Sequence, residues 1–229
     1  MNKKKKIDIV TWSVIGLAVV SVGVLIYTKL GKNSKNKLGN KLTNFKKKLI
    51  DVTNSEWEYW DYGKTKETAS SMYSRLKDYW SNVGWSENRW TPTSEPWSAA
   101  FISYVMKKAG AGNDFVYNAS HSKYIRDAIK NRKENNSKPF KAYRLSEQQA
   151  APELGDLVCY SRESKTDLYD RTSGYKSHCD IVVNKTVDSI DVIGGNVGHT
   201  VQKKTYQLNS DGTVKKTGKL FAVIKNSKV

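Results

Sequence analysis

Hydrophobic and polar positions recur with two different periods along the 229-residue chain. Residues 9–27, IVTWSVIGLAVVSVGVLIY, form a stretch of 19 positions with no charge. That is enough to cross a hydrocarbon core of roughly 30 Å as a helix. Trp12 and Tyr27 sit near its ends, where aromatic belts form, and no small-x-small cleavage site precedes Lys29. An uncleaved transmembrane helix is therefore expected over residues 9–28. Further on, Met72, Leu76, Tyr79, Trp80 and Val83 recur at helical spacing between residues 66 and 83, with Gly84 as the stop. Trp97, Phe101, Tyr104, Val105 and Lys108 share one face of a second helix over residues 96–109, opened by Pro96 and ended by Gly110. Tyr124, Ile125, Ala128 and Ile129 mark a third over residues 122–133, with residues 118–120 as its cap region. From residue 155 the period falls to two. GDLVCYSR, HCDIVVNKTV, SIDVIGG, TVQKKTYQL and KLFAVIK read as short strands separated by Gly, Asn, Asp and Ser turns. Helices followed by an antiparallel meander make an α+β layout.

Charge divides the chain a second time. Of the net +17, residues 1–50 carry +11 and the remainder only +6. The expected partition is a basic tail (1–8), the membrane helix (9–28), a Lys-rich juxtamembrane linker (29–52) ending in a short basic amphipathic helix, and an α+β domain (53–229). A nucleic-acid footprint would lie on a tail and not in a groove of the fold, so no specific nucleic-acid partner is expected. Beyond the bilayer contact of residues 9–28, the linker suits an anionic lipid or an acidic wall polymer, or serves as a solvated spacer. Lys29, Lys32, Lys35, Lys37, Lys41, Lys46 and Lys47 outnumber the four lysines before the helix, which favours a cytoplasmic body by the positive-inside rule and leaves orientation open. Two cysteines and three histidines, without ligand spacing, give no expectation of a metal. The IGGNVG segment lacks the lysine of a phosphate loop, and no cofactor is expected.

The order of motifs carries the chemistry: EPWSAAF opening a helix, GDLV on a first strand, SHCDIVV on a second, IGGN after a third. This order resembles the papain-like NlpC/CHAP superfamily of cell-wall cysteine peptidases and amidases, and within it a bacterial and phage branch known only as a domain of unknown function. The likeness spans about residues 53–225. It implies a papain-like fold of helices on an antiparallel sheet, peptidoglycan or its stem peptides as substrate, and a domain on the wall side of the membrane. It also implies a nucleophile in the first helical turn, a histidine base opening the second strand and a polar residue orienting the imidazole. Carried over, these are Ser98, His178 and Asn196.

Serine at the nucleophile position departs from the pattern. A thiol is readily made a thiolate by a helix N-terminus and an imidazole, whereas a hydroxyl needs the histidine as general base. Ser98 is read as a true nucleophile, as the mark of a silent domain that binds a wall peptide or protein, or as a first-turn capping residue. Cys159, on the strand expected beside His178, is a second nucleophile candidate, a buried core thiol, or half of a bridge to Cys179 that would argue for an oxidising compartment. Period-two alternation puts His178, Asp180 and Val182 on one strand face and Cys179, Ile181 and Val183 on the other. Trp97, His121 and Asp180 are the side chains expected to touch substrate; the resemblance also implies a histidine near position 121. His199, in the turn NVGHT, is read as a turn residue.

Overall fold

Helix α1 (Asn44–Tyr59) starts at Thr43, whose hydroxyl oxygen accepts the Lys46 N–H at 3.2 Å and donates to the Lys228 carbonyl at 2.7 Å. The cap thus ties the first helix to the end of the chain. Phe45, Leu49, Thr53 and Glu56 are its buried stripe, at the spacing of one helical face. The computed structural model describes residues 42–229. The expected membrane helix, the basic tail and most of the linker lie outside the described residues. Among the described residues no helix is long and apolar enough to cross a membrane. Phe45 and Leu49 belong to the main core, so the folded body reaches further back than residue 53, into what charge alone marked as linker.

Helix α2 (Tyr73–Asn82) follows a short 3-10 turn at Ser70–Met72 and buries Leu76, Tyr79 and Trp80. Helix α3 (Ser98–Ala109) is buried almost all round, and Gly110 ends it at φ 96°, a left-handed cap that a residue without Cβ adopts freely. Such a helix has no solvent face and must be central. Helix α4 (His121–Lys133) buries Tyr124, Ile125, Ala128 and Ile129.

Among the described residues the fold is α+β, with four α-helices and a six-stranded antiparallel sheet in the order β1-β6-β2-β3-β4-β5. The strands are β1 (Phe140–Arg144), β2 (Leu157–Ser161), β3 (Ser177–Lys185), β4 (Ser189–Gly194), β5 (Gln202–Gln207) and β6 (Leu220–Asn226). Strands β2 to β5 form the expected meander. The last strand departs from it, returning to lie between β1 and β2. Strand β1 was not expected: in FKAYR only Phe140 and Ala142 are buried, too short an alternation to register. The helices cover one sheet face over a core that includes Cys179, Ile181 and Ile193. Val158, Val182, Ile190, Val192 and Val223 form a second cluster, so the alternation expected for β3 places its two sets of apolar residues in separate clusters.

The GDLV motif is structural. Asp156 is fully buried and accepts the Asn226 and Glu153 N–H groups, with Lys225 and Lys46 as ion partners. Burial pushes its pKa up against the pull of those lysines. One carboxylate thereby joins β2, β6 and α1.

Candidate active site

The β2–β3 register sets Cys159 opposite Cys179 with Cα atoms 4.1 Å apart. This is the closely spaced class of antiparallel pair, whose backbone N–H and C=O groups point away from the neighbouring strand. The Cys179 N–H therefore faces the β4 side, yet β3–β4 pairing begins only at Ile181↔Ile193. Strand β4 ends at Gly194, and the start of β3 is left without a partner on that side. The N-terminal ends of α3 and α4 fill the gap.

Three polar side chains meet there. The His121 Nδ1 accepts the stranded Cys179 N–H at 3.2 Å, and the Tyr124 hydroxyl also bonds to Nδ1. On the other side of the ring, Nε2 lies 2.7 Å from Ser98 Oγ. This is the only side-chain hydrogen bond of Ser98 among the described residues, so the serine does not cap its own helix. His178 and Asp180, two apart on β3 and hence on one face, are paired through Nε2 and Oδ1 at 2.8 Å. Tyr160 stacks on the His178 ring at 4.9 Å, and the His121 ring lies 4.9 Å from it on another side. The Lys204 ammonium stands 3.9 Å from Asp180 Oδ2. His178 Nδ1 is buried with no partner.

The cluster is closed to solvent: Ser98 is 3% exposed, His121 5%, Asp180 1% and His178 0%. Burial above all, then the neighbouring His178 ring and the Arg162 guanidinium, hold the His121 pKa well below the usual 6.5, so its ring is neutral. Burial holds the Tyr124 hydroxyl well above its usual 10.

The glycines of IGGN have steric roles. A Cβ on Gly194 would lie 1.8 Å from Asp180 Oδ1 and 2.9 Å from His178 Nε2, and one on Gly195 would lie 2.5 Å from Phe101 Cγ. The strand end passes directly over the His–Asp pair, and only a bare backbone fits. Trp97 is fully buried, stacked on Trp60 at 4.8 Å, with its indole N–H donated to the buried Glu67 carboxylate at 2.7 Å. It holds the start of α3 and has no face free for substrate. The other Glu67 oxygen bonds His199 Nδ1 at 2.7 Å, so His199 fastens its turn to the helical layer.

Of the sequence candidates, Ser98, His121, His178 and Asp180 come together. Asn196 sits in the turn after β4 at φ 53° and makes no recorded side-chain bond to His178; Asp180 holds that imidazole instead. Cys159 is bonded to Cys179 and there is no free cysteine, which removes it as a nucleophile. Tyr160 and Glu67 escape the sequence because each acts through a contact distant along the chain, whereas Tyr124, expected only as a buried helix residue, meets His121 three positions away. The His-x-Asp spacing on one strand did carry the Asp180 signal. Among the described residues, no group of three or more His, Cys, Asp or Glu is placed to hold a metal ion.

Residues 52–225 match the family model described as an uncharacterized protein conserved in bacteria (DUF2272). The chain belongs to this family. No curated protein and no solved structure matches it. The matched stretch of the DUF2272 domain runs from the middle of α1 to the end of β6, and so contains every residue of the buried cluster.

Proposed function

We propose that this DUF2272 protein is a membrane-anchored, papain-like hydrolase that cleaves a peptide or amide bond of peptidoglycan, with Ser98 as nucleophile. The observation that carries the reading is a serine hydroxyl held by one buried imidazole, against whose ring a second buried imidazole with a free nitrogen is packed. His178 Nδ1 has no partner, and Ser98 O–H has no recorded acceptor beyond its contact with His121. In the reaction His178 Nδ1 takes the Ser98 proton while Oγ bonds to the substrate carbonyl carbon. Asp180 fixes the tautomer and steadies the imidazolium. The unpaired N–H groups at the first turn of α3 suit the developing oxyanion. The proton then passes to the departing nitrogen as the C–N bond breaks, and water releases the acyl group. The Cys159–Cys179 bridge supports an oxidising compartment, hence a body on the wall side of the membrane, with the Lys-rich segment beside anionic lipid or wall polymer.

The test is hydrolysis of purified peptidoglycan by the full chain, with new termini identified by mass spectrometry. Ser98→Ala and His178→Ala should each abolish the new termini, and activity surviving in His178→Ala sinks the mechanism. One observation favours a second reading: enclosure of Ser98 and His178 suits a silent domain that binds wall fragments. No new termini from any form, with fragments still bound, would establish that alternative.

A further inference from the structure

One histidine holds the serine and a second packs against that histidine's ring, 4.9 Å away between centroids, and their hydrogen bonds assign them opposite tasks. A backbone amide only donates, so the Cys179 N–H at 3.2 Å places a lone pair on His121 Nδ1, and the Tyr124 hydroxyl on the same nitrogen must then share that lone pair as a donor. The neutral ring then carries its proton on Nε2, and the 2.7 Å contact to Ser98 Oγ is a bond that His121 donates. In that form His121 cannot accept the serine proton. Its donation occupies an Oγ lone pair and leaves the hydroxyl hydrogen to point elsewhere. His178 is arranged the other way: Nε2 faces the Asp180 carboxylate, a pure acceptor when ionised, so Nε2 carries the proton and Nδ1 is an open lone pair.

We infer that His121 is a positioning residue, a fixed hydrogen-bond donor that holds Ser98 Oγ and turns its proton away, leaving His178 as the sole base. This rests on the hydrolase reading above. The arrangement follows from the fold: the amide that locks His121 is free because β4 stops short of it, and the Cys159–Cys179 bridge fastens β3 at that residue. The groups that face His121 are Tyr124 from its own helix, Ser98 from α3, His178 from β3 and Arg162 beyond β2. None is a carboxylate that would draw a proton onto Nδ1.

The chain has three histidines, so long-range proton–nitrogen correlation spectra of the full chain, ¹⁵N-labelled at histidine, resolve each ring once His121→Gln and His199→Gln assign the peaks. The expected result is a protonated Nε2 and a bare Nδ1 on His121, unchanged as pH is lowered through the usual imidazole range. A protonated Nδ1, or a ring that charges in that range, overturns the inference without reference to catalysis. The second arm is labelling by an alkyl fluorophosphonate, in which Oγ displaces fluoride from phosphorus and the hydroxyl proton leaves to the base. His178→Gln should slow labelling by at least about 100-fold, the usual scale of a lost general base. His121→Ala removes the donor and should slow labelling by about 100-fold, the scale of a misplaced reacting group, whereas His121→Gln, which keeps an N–H donor, should recover part of that loss and keep the wild-type pH inflection. Equal loss in His178→Gln and His121→Gln, or a shifted inflection in His121→Gln, overturns the assignment and leaves Ser98 chemistry standing. Absence of labelling in every form removes the hydrolase reading, and the spectra still decide the tautomer.

Discussion

Gly194→Ala tests whether the His178–Asp180 pair depends on the bare backbone above it. The added methyl would lie 1.8 Å from Asp180 Oδ1 and 2.9 Å from both Asp180 Cγ and His178 Nε2. Ordinary contact needs about 3.4 Å or more, so the carboxylate must retreat by about 1.5 Å, enough to break its 2.8 Å bond to His178. Overpacking a filled site costs about 1–3 kcal/mol, and a buried polar group stripped of its partner costs about 1–3 kcal/mol more. The sum, about 2–6 kcal/mol, is a large part of the 5–15 kcal/mol typical of a folded domain. The assay is urea denaturation of the full chain, reading the midpoint at constant slope, together with Ser98 labelling. Gly174→Ala is the control, because nothing lies within 4 Å of its added carbon and its φ is not positive; it should stay within about 0.5 kcal/mol. Gly195→Ala should destabilise through Phe101 and Trp97 without touching the pair. A Gly194→Ala protein within about 0.5 kcal/mol of wild type, with labelling intact, would refute the argument that the glycine exists to seat the His–Asp pair.

Two further outcomes follow from buried groups. Reducing the Cys159–Cys179 bridge, which spans 20 residues, should lower stability by about 3 kcal/mol on chain-entropy grounds, read as a lower urea midpoint in dithiothreitol. Glu56, buried beside Tyr79 and Arg75, has its carboxyl raised above the usual 4.5, chiefly by burial. The folded protein therefore holds that proton more tightly than the unfolded chain. The associated stability is complete below about pH 4.5 and is lost as pH rises through the raised folded value. Glu56→Gln should flatten unfolding free energy against pH above 4.5, and an unchanged slope would contradict the assigned cause.

Periodicity revealed the elements whose burial follows from their own repeat. Leu76, Tyr79 and Trp80 mark α2 in any context, and the switch to period two after residue 155 located five of six strands. What escaped depends on partners far away. Phe140 and Ala142 make a strand because β6 returns beside them, which no local pattern in FKAYR announces. The amphipathic helix expected at the end of the linker is the start of α1, but Lys46, Lys47 and Lys48 hide that its Phe45 and Leu49 stripe belongs to the core of the domain. At the site, motif order singled out Ser98 and His178, but pairing was not legible. His121 reaches Ser98 across 23 positions and Cys179 across 58, and both contacts exist only because β4 ends early. The imidazole contact expected of Asn196 is made by Asp180, because a partner two residues along the same strand is already on the right face.

Serine at position 98 and the bridge beside it are compatible in a way that a thiol would not be. Ser98 is separated from Cys179 by a single imidazole, with Nε2 2.7 Å from Oγ and Nδ1 3.2 Å from the Cys179 nitrogen. A cysteine at the first turn of α3, beside the His121 imidazole, would be placed to ionise. Its thiolate would face a disulfide held at the neighbouring strand, and thiolates exchange with disulfides by direct attack on sulfur. Ser98→Cys is therefore expected to divert part of the protein into a bridge from position 98 to Cys159 or Cys179, releasing the other cysteine. Alkylation followed by peptide mapping reads this directly. In a Cys159→Ala, Cys179→Ala background the same substitution should leave a free, fully alkylated thiol. If Ser98→Cys instead keeps the Cys159–Cys179 bridge whole and its new thiol open to alkylation, the two features are independent. If exchange occurs, a cysteine at position 98 and the Cys159–Cys179 bridge exclude each other, whereas the serine hydroxyl leaves the bridge intact.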